Sequence, residues 1–403
     1  KYQFMLIQQI TSYIDTHAPV RFLIAETESA FTLLTALYYA RRFGVADKVD
    51  ICPLFETQRA LQDASRYIET LLDNPDYCAY IEMRGRISFQ TGYSDAGRFI
   101  GQPAAAGSIE RLKERIIAMA ADTQILQDKQ LVFFDTHGES IGRGGHPDGV
   151  AARLDYIAPG HLLGLMRENG ISYIQEDSFQ GGDGYLYFLN VTAARRICAH
   201  VLAHFCPAGQ TWESDPYYEE PNRTEVTEFL TRAAAFQTSL VDDPNYARLL
   251  SAFATNMIPR SGSRAVKRTA PGELQDKTPQ IRDYRAIPHN AILGQYALLA
   301  NTLSGTGRAM REHQDFVSAL QESSPRFRRI TSLIDTALTL SDASVMKGYI
   351  AVLDPTLWIL KASHSADMTQ ANNRAVIAKL LESYKDNDGM MAVYRKLVWD
   401  ENL

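Results

Sequence analysis

The sequence predicts an α/β protein in which helix predominates, and three patterns carry that reading. Five short apolar runs, each closing in polar or glycine-rich residues, alternate with helical stretches through the first half of the 403-residue chain. From about Val191 onward the strand signals fade and helices take over. No apolar run approaches the roughly eighteen residues that a membrane span needs.

The candidate strands are residues 21–27 (RFLIAET), 49–56 (VDICPLFE), 86–93 (RISFQTGY), 131–135 (LVFFD) and 171–176 (ISYIQE). Between them, residues 29–43, 59–72 and 108–122 repeat apolar side chains at three-to-four spacing, the helical period. Strand, polar loop and helix in repetition is the grammar of a parallel sheet or a (β/α) barrel, where chemistry gathers at the carboxyl ends of strands. Four or five strands do not close an eight-stranded barrel. Either the sheet is open, or strands precede Lys1, since the chain starts without an initiator Met. Two regions are expected: residues 1–190 with the strands and their loops, and a mainly helical region over 191–403. Breaker-rich segments at 206–223 and 258–279 interrupt the second, and the latter is expected to be a mobile basic loop.

Composition narrows the function. A net charge of −6 argues against a dedicated nucleic-acid binder. Four cysteines without a C-x-x-C pair indicate neither a zinc ribbon nor a disulfide framework. No signal peptide is visible, so a reducing, cytoplasmic setting is expected.

Two acids stand at strand ends: Glu56 closes ICPLFE and Asp95 closes TGYSD. Carboxylates from successive βα units are a natural site for Mg²⁺ or Mn²⁺, which prefer oxygen ligands. The plainer alternative is a pair of helix-capping or salt-bridged acids. A sharper signal is residues 135–149, DTHGESIGRGGHPDG, in which Gly142, Gly144 and Gly145 surround Arg143 and His146 directly after an apolar strand, with His137 upstream. Glycines let backbone N–H groups approach an anion, and an arginine binds phosphate or carboxylate bidentately. The loop is neither a dinucleotide fingerprint nor a P-loop, and a flexible surface loop is the bland alternative. Arg98 follows Asp95 by three residues and is either a second cation of the same pocket or a solvated side chain. Arg264, Lys267 and Arg268 read as an anion-binding loop or an exposed patch, and Arg285 alone is uninformative. His200 and His204 have metal-ligand spacing but lack the glutamate of H-E-x-x-H, so a half-buried helical face is the better reading.

In order, ICPLFET, TGYSDAGRFIG, SIGRGGHP, GSRAVKR and RAIP resemble the carboxyl-terminal half of phosphoenolpyruvate carboxylase, over residues 21 to about 307. The resemblance implies a TIM-barrel-type core elaborated by many helices and carboxylation of phosphoenolpyruvate by bicarbonate to oxaloacetate and phosphate. It implies Mg²⁺ or Mn²⁺ held by Glu56 and Asp95, and Arg143, Arg98, His137 and Arg285 as the catalytic set. Gly142, Gly144, Gly145, Arg264, Lys267 and Arg268 fall on substrate-binding motifs. A homo-oligomer is expected, with no nucleic-acid or membrane partner, and with this chain an incomplete portion of the whole.

Several positions depart from the family. Asp135 stands where F-H-G-R-G-G has histidine, His137 where it has arginine, and Arg98 where the G-Y-S-D motif is followed by lysine. Tyr296 replaces the arginine that follows R-A-I-P, E-Q-G-E survives only faintly at residues 175–177, and the chain ends DENL. The family's T-A-H-P-T-E histidine motif is absent. The alternative is therefore a diverged, non-catalytic relative that binds a metal or an anionic metabolite as a regulatory or scaffold protein.

Overall fold

The computed structural model describes the chain except residues 18–19, 139, 181–187, 207–213, 255–279, 383–386 and 402–403. Its first half runs α1 (Tyr2–Tyr13), β1 (Val20–Ile24), α2 (Ala30–Arg42), β2 (Val49–Phe55), α3 (Gln58–Leu72), α4 (Pro75–Arg84), β3 (Arg86–Gly92) and α5 (Tyr93–Ile100). It continues through α6 (Gln102–Asp122), β4 (Gln130–Gly138), α7 (Val150–Ile157), α8 (Gly160–Glu168), β5 (Tyr173–Gln180) and α9 (Val191–Phe205). All five expected strands form, in one parallel sheet of order β1-β2-β3-β4-β5.

The first strand stops at Ile24, short of the expected 27, and β4 runs on to Gly138; the boundaries of β5 and α6 move for local reasons. The last strand begins at Tyr173 because the Ile171 amide still donates to Met166 O, 2.8 Å away, in the turn that ends α8. It then runs on to Gln180 because β4 extends beside it, pairing Gly138 with Gln180. Helix α6 starts at Gln102, six residues before the apolar period, since Pro103 is tolerated in a first helical turn.

The two faces of the sheet differ. Ile51, Phe55, Ile87, Phe89, Leu131 and Phe133 alternate onto one face and are almost wholly buried. Helices cover this side: Tyr80 of α4 donates to Val49 O at 2.9 Å and accepts from the Ile51 amide at 2.8 Å. Lys113 of α6 places its ammonium 5.7 Å from the centre of the Phe133 ring. The other face carries Arg21 paired with Asp50, Arg86 opposite Gln130 and, four residues further along the ladder opposite Phe134, Glu176. Asp50, 2% exposed, accepts from Arg84 at 2.6 Å and Arg86 at 3.0 Å and also pairs with Arg21. Arg21 reaches on to Glu176 of β5, at 2.5 and 3.1 Å. In a flat sheet, β1 and β5 would lie about 19 Å apart at about 4.8 Å per step. That is more than an arginine and a glutamate span together, so the sheet is curled with this face concave.

The chain forms two compact units. The first comprises residues 1–98, 102–223 and 323–330, and the second residues 99–101, 224–322 and 331–403. In the first, Arg326 (4% exposed) binds Glu110 at 2.8 Å and the carbonyls of Asp155 and Tyr156 at 3.0 and 3.1 Å, which fixes residues 323–330 there. The described part of the second unit is helical, with Phe229, Leu240, Tyr246, Leu250, Tyr284, Leu293 and Tyr296 in its core. Tyr296, where the resemblance has an arginine, spends its hydroxyl on Leu249 O at 2.6 Å.

Removing a buried carboxylate shared by several arginines leaves uncompensated charge. Asp50→Ala is expected to destabilise the fold by about 3–5 kcal/mol, read as a lower urea midpoint. An unchanged midpoint would show that the concave-face cluster contributes nothing to stability.

Candidate functional site

Glu56 follows the last residue of β2, and Gly92 is the last residue of β3. A Cβ on Gly92 would sit 2.9 Å from Glu56 Cβ and 3.4 Å from its Oε2, so the glutamate lies directly over the glycine backbone and no larger residue fits. Tyr93 begins α5 with no intervening loop, which puts Asp95 in the first helical turn, where the helix dipole favours negative charge. Both carboxylates thus border one strand-to-helix junction. Glu56 does not cap α3: that is done by Thr57, whose side chain accepts from the Ala60 amide at 3.1 Å.

Two cations meet the same junction. Arg98 is completely enclosed, and its Nη2 lies 2.5 Å from Asp95 Oδ1, so it is not a solvated side chain. Arg143, 7% exposed, donates from Nε to Ser94 Oγ at 3.0 Å. Burial holds the Arg143 guanidinium below its usual value, Asp95 works against that shift and Arg153 adds to it. An arginine keeps its charge through such a shift.

The glycine loop is built, not loose. Residues 142–146 are buried, and the amides of Arg143 and Gly145 both donate to Ser140 O, at 2.9 and 3.1 Å. Those two N–H groups are thereby spent within the loop. Gln102, fully buried, donates to Tyr93 O at 2.8 Å and to Gly142 O at 2.9 Å, binding the loop to the junction. Its amide occupies the space a Cβ on Gly97 would need, 1.8 Å from Nε2. Burial also depresses the His146 imidazole, against the opposing effect of its bond to Arg329 O at 3.1 Å, so the ring is neutral at neutral pH.

The remaining expected residues are placed as follows. His137 pairs in register with Phe179 at the end of β4, and its side chain lies outside the described residues. Arg264, Lys267 and Arg268 lie outside them altogether. Arg285 belongs to the second unit and precedes the helix Ala286–Gln295. His204 bonds Ala158 O at 2.8 Å while His200 is exposed, so the pair is not joined at a metal site. Among the described residues no group of three or more His, Cys, Asp or Glu side chains converges. Two carboxylates suit a hard cation that completes its shell with water and substrate oxygens, and do not suit a zinc-type cage built wholly by protein.

The sequence reading missed Ser94, Gln102 and a polar network on the helix-covered face. There Lys113 Nζ binds Asp135 Oδ2 at 2.6 Å, Thr91 also bonds Asp135, and Gln175 donates to Asp135 at 2.6 Å and Asp177 at 2.9 Å. Asp135 is thus a buried counter-ion of α6. The signal was a lysine inside the apolar stripe Ile109, Leu112, Ile116 and Ile117, a place where a cation needs a partner. Desolvation, then the charge of Asp135, push the Asp177 carboxyl up from 3.8 to about 6. A carboxyl raised in the folded state contributes its stability below its unfolded value and loses it as pH rises through the folded one. Asp177→Asn should therefore gain on the parent by about 1–3 kcal/mol between pH 3.5 and 7 in urea unfolding; a pH-independent difference would refute the assignment.

Residues 3–152 match the family model of phosphoenolpyruvate carboxylase. The phosphoenolpyruvate carboxylase of Acinetobacter baylyi is 25% identical over 337 residues, covering 81% of this chain and 35% of that protein. The Hahella chejuensis enzyme is 35% identical over 146 residues, 36% of this chain and 16% of the relative. Phosphoenolpyruvate carboxylase 1 of Chlamydomonas reinhardtii is 33% identical over 132 residues, 33% of this chain and 13% of the relative. The chain thus spans about a third of the length of the Acinetobacter protein. On these matches the chain is similar to part of phosphoenolpyruvate carboxylases, at 25% identity over most of its length and 33–35% over shorter stretches.

Proposed function

We propose that the protein serves carboxylation of phosphoenolpyruvate by bicarbonate, giving oxaloacetate and phosphate. The observation that carries this reading is the single junction that gathers Glu56, Asp95 and, through Ser94, Arg143. Glu56 and Asp95 would hold Mg²⁺ or Mn²⁺, which when bound supplies Lewis-acid stabilisation of the enolate oxygen. A bicarbonate oxygen attacks phosphorus and the bond to the enol oxygen breaks, leaving carboxyphosphate and the enolate. Carboxyphosphate releases carbon dioxide and phosphate, and the enolate carbon captures the carbon dioxide. Arg143 offsets charge on the transferring phosphoryl group, with Arg285, His137, Arg264, Lys267, Arg268 and the backbone at Gly142 and Gly144 as further anion contacts, and Gly145 shaping the substrate loop. Arg98 acts through Asp95.

A TIM-barrel-type core belongs to the same reading, supported by five sequential parallel strands curled far enough for Arg21 to reach Glu176. A cytoplasmic homo-oligomer is also proposed. Among the described residues no helix is long and apolar enough to cross a membrane.

A second reading, a non-catalytic relative that binds a metal or an anionic metabolite, draws on the enclosure of Arg98 and Arg143, which are turned onto Asp95 and Ser94. A coupled oxaloacetate assay on the full-length protein with Mg²⁺ or Mn²⁺ separates the two. Turnover supports the enzyme; metal binding with no turnover supports the second reading. Asp95→Asn is expected to weaken Mn²⁺ binding at least about tenfold, and Arg143→Ala to weaken phosphoenolpyruvate binding by a similar factor. Unchanged affinities would remove those residues from the site.

A further inference from the structure

Arg98 has a consequence for cation binding beyond neutralising a carboxylate. Its side chain has no exposed surface, while Asp95 keeps 14%, so the aspartate alone of this pair faces outward. They stand three residues apart on α5, which holds Nη2 and Oδ1 at 2.5 Å without any loop having to close. A guanidinium buried this completely keeps its place and its charge when another cation arrives, because no path leads it out to water. It also cannot shed its proton. Arg143, held at the adjoining Ser94, adds a second positive charge nearby.

We propose that Arg98 is a resident competitor for Asp95, which keeps the affinity of the Glu56–Asp95 site for divalent cations low. The proposal rests on reading those two carboxylates as the cation site. A metal ion on Oδ2 of Asp95 would sit within one carboxylate's width of a fixed positive charge engaging Oδ1, and repulsion at that range is strong in a protein interior. With a neutral side chain at position 98, that fixed charge beside Asp95 is gone and the repulsion of the ion is relieved.

The test is Mn²⁺ titration of the full chain at pH 7.5, following free Mn²⁺ by electron paramagnetic resonance. Arg98→Met should lower the dissociation constant at least about tenfold, and Arg98→Lys, which keeps the charge, should stay within about threefold of the parent. Arg98→Gln, which stays polar but carries no charge, has the same expectation should the methionine variant fail to unfold cooperatively. Adding Asp95→Asn to either neutral variant should abolish the gain. Neutral variants that fold and bind Mn²⁺ no tighter than the parent overturn the competition and leave the cation site standing. Absence of Mn²⁺ binding in the parent and in every variant overturns both.

Discussion

The close approach of Glu56 to Gly92 is the constraint around which the first unit is organised. A carboxylate can rest over the end of a neighbouring strand only where that strand offers bare backbone, and a Cβ there would meet the glutamate at 2.9 Å. Because α5 starts at the next residue, the same few atoms also set Ser94, Asp95 and Arg98. A loop at this point would add slack to each of these positions. The direct passage from strand to helix instead makes their relative placement a property of the secondary structure.

The charges are ordered by layer. On the concave face, Asp50 gathers three arginines and Arg21 ties β1 to β5. On the helix-covered face, Asp135 and Lys113 neutralise one another out of solvent. At the strand ends, Asp95 is matched by Arg98 with Arg143 close by. Each of these three clusters brings buried charges of opposite sign together, as the cost of dehydrating ions demands. The junction differs from the Lys113–Asp135 pair in keeping one member, Asp95, partly exposed.

Much of the scaffold was legible in the chain because it is local. Alternating apolar residues located all five strands, and GYSD and the glycine run marked the strand ends. What escaped was carried by pairs far apart in sequence. Nothing near Arg21 announces Glu176, 155 residues on, so the curl of the sheet could not be read in advance. Lys113 and Asp135 are closer, yet each is ordinary alone, and only the apolar neighbours of Lys113 hinted at a partner. The glycine loop was legible as a special segment but not in its detail: glycines that suggest open backbone turn out to enclose two amides already committed to Ser140.

The double bond of Gln102, to Tyr93 O and Gly142 O, has a mechanical outcome. One carboxamide clamps two carbonyls from elements some fifty residues apart in the chain, and Gly97 leaves it just enough room. The Arg143 loop and the carboxylate junction are consequently coupled as a single stiff block, unable to hinge against each other without breaking a fully enclosed amide contact. Any adjustment of this site to the size or shape of a ligand must then be made by segments outside that block.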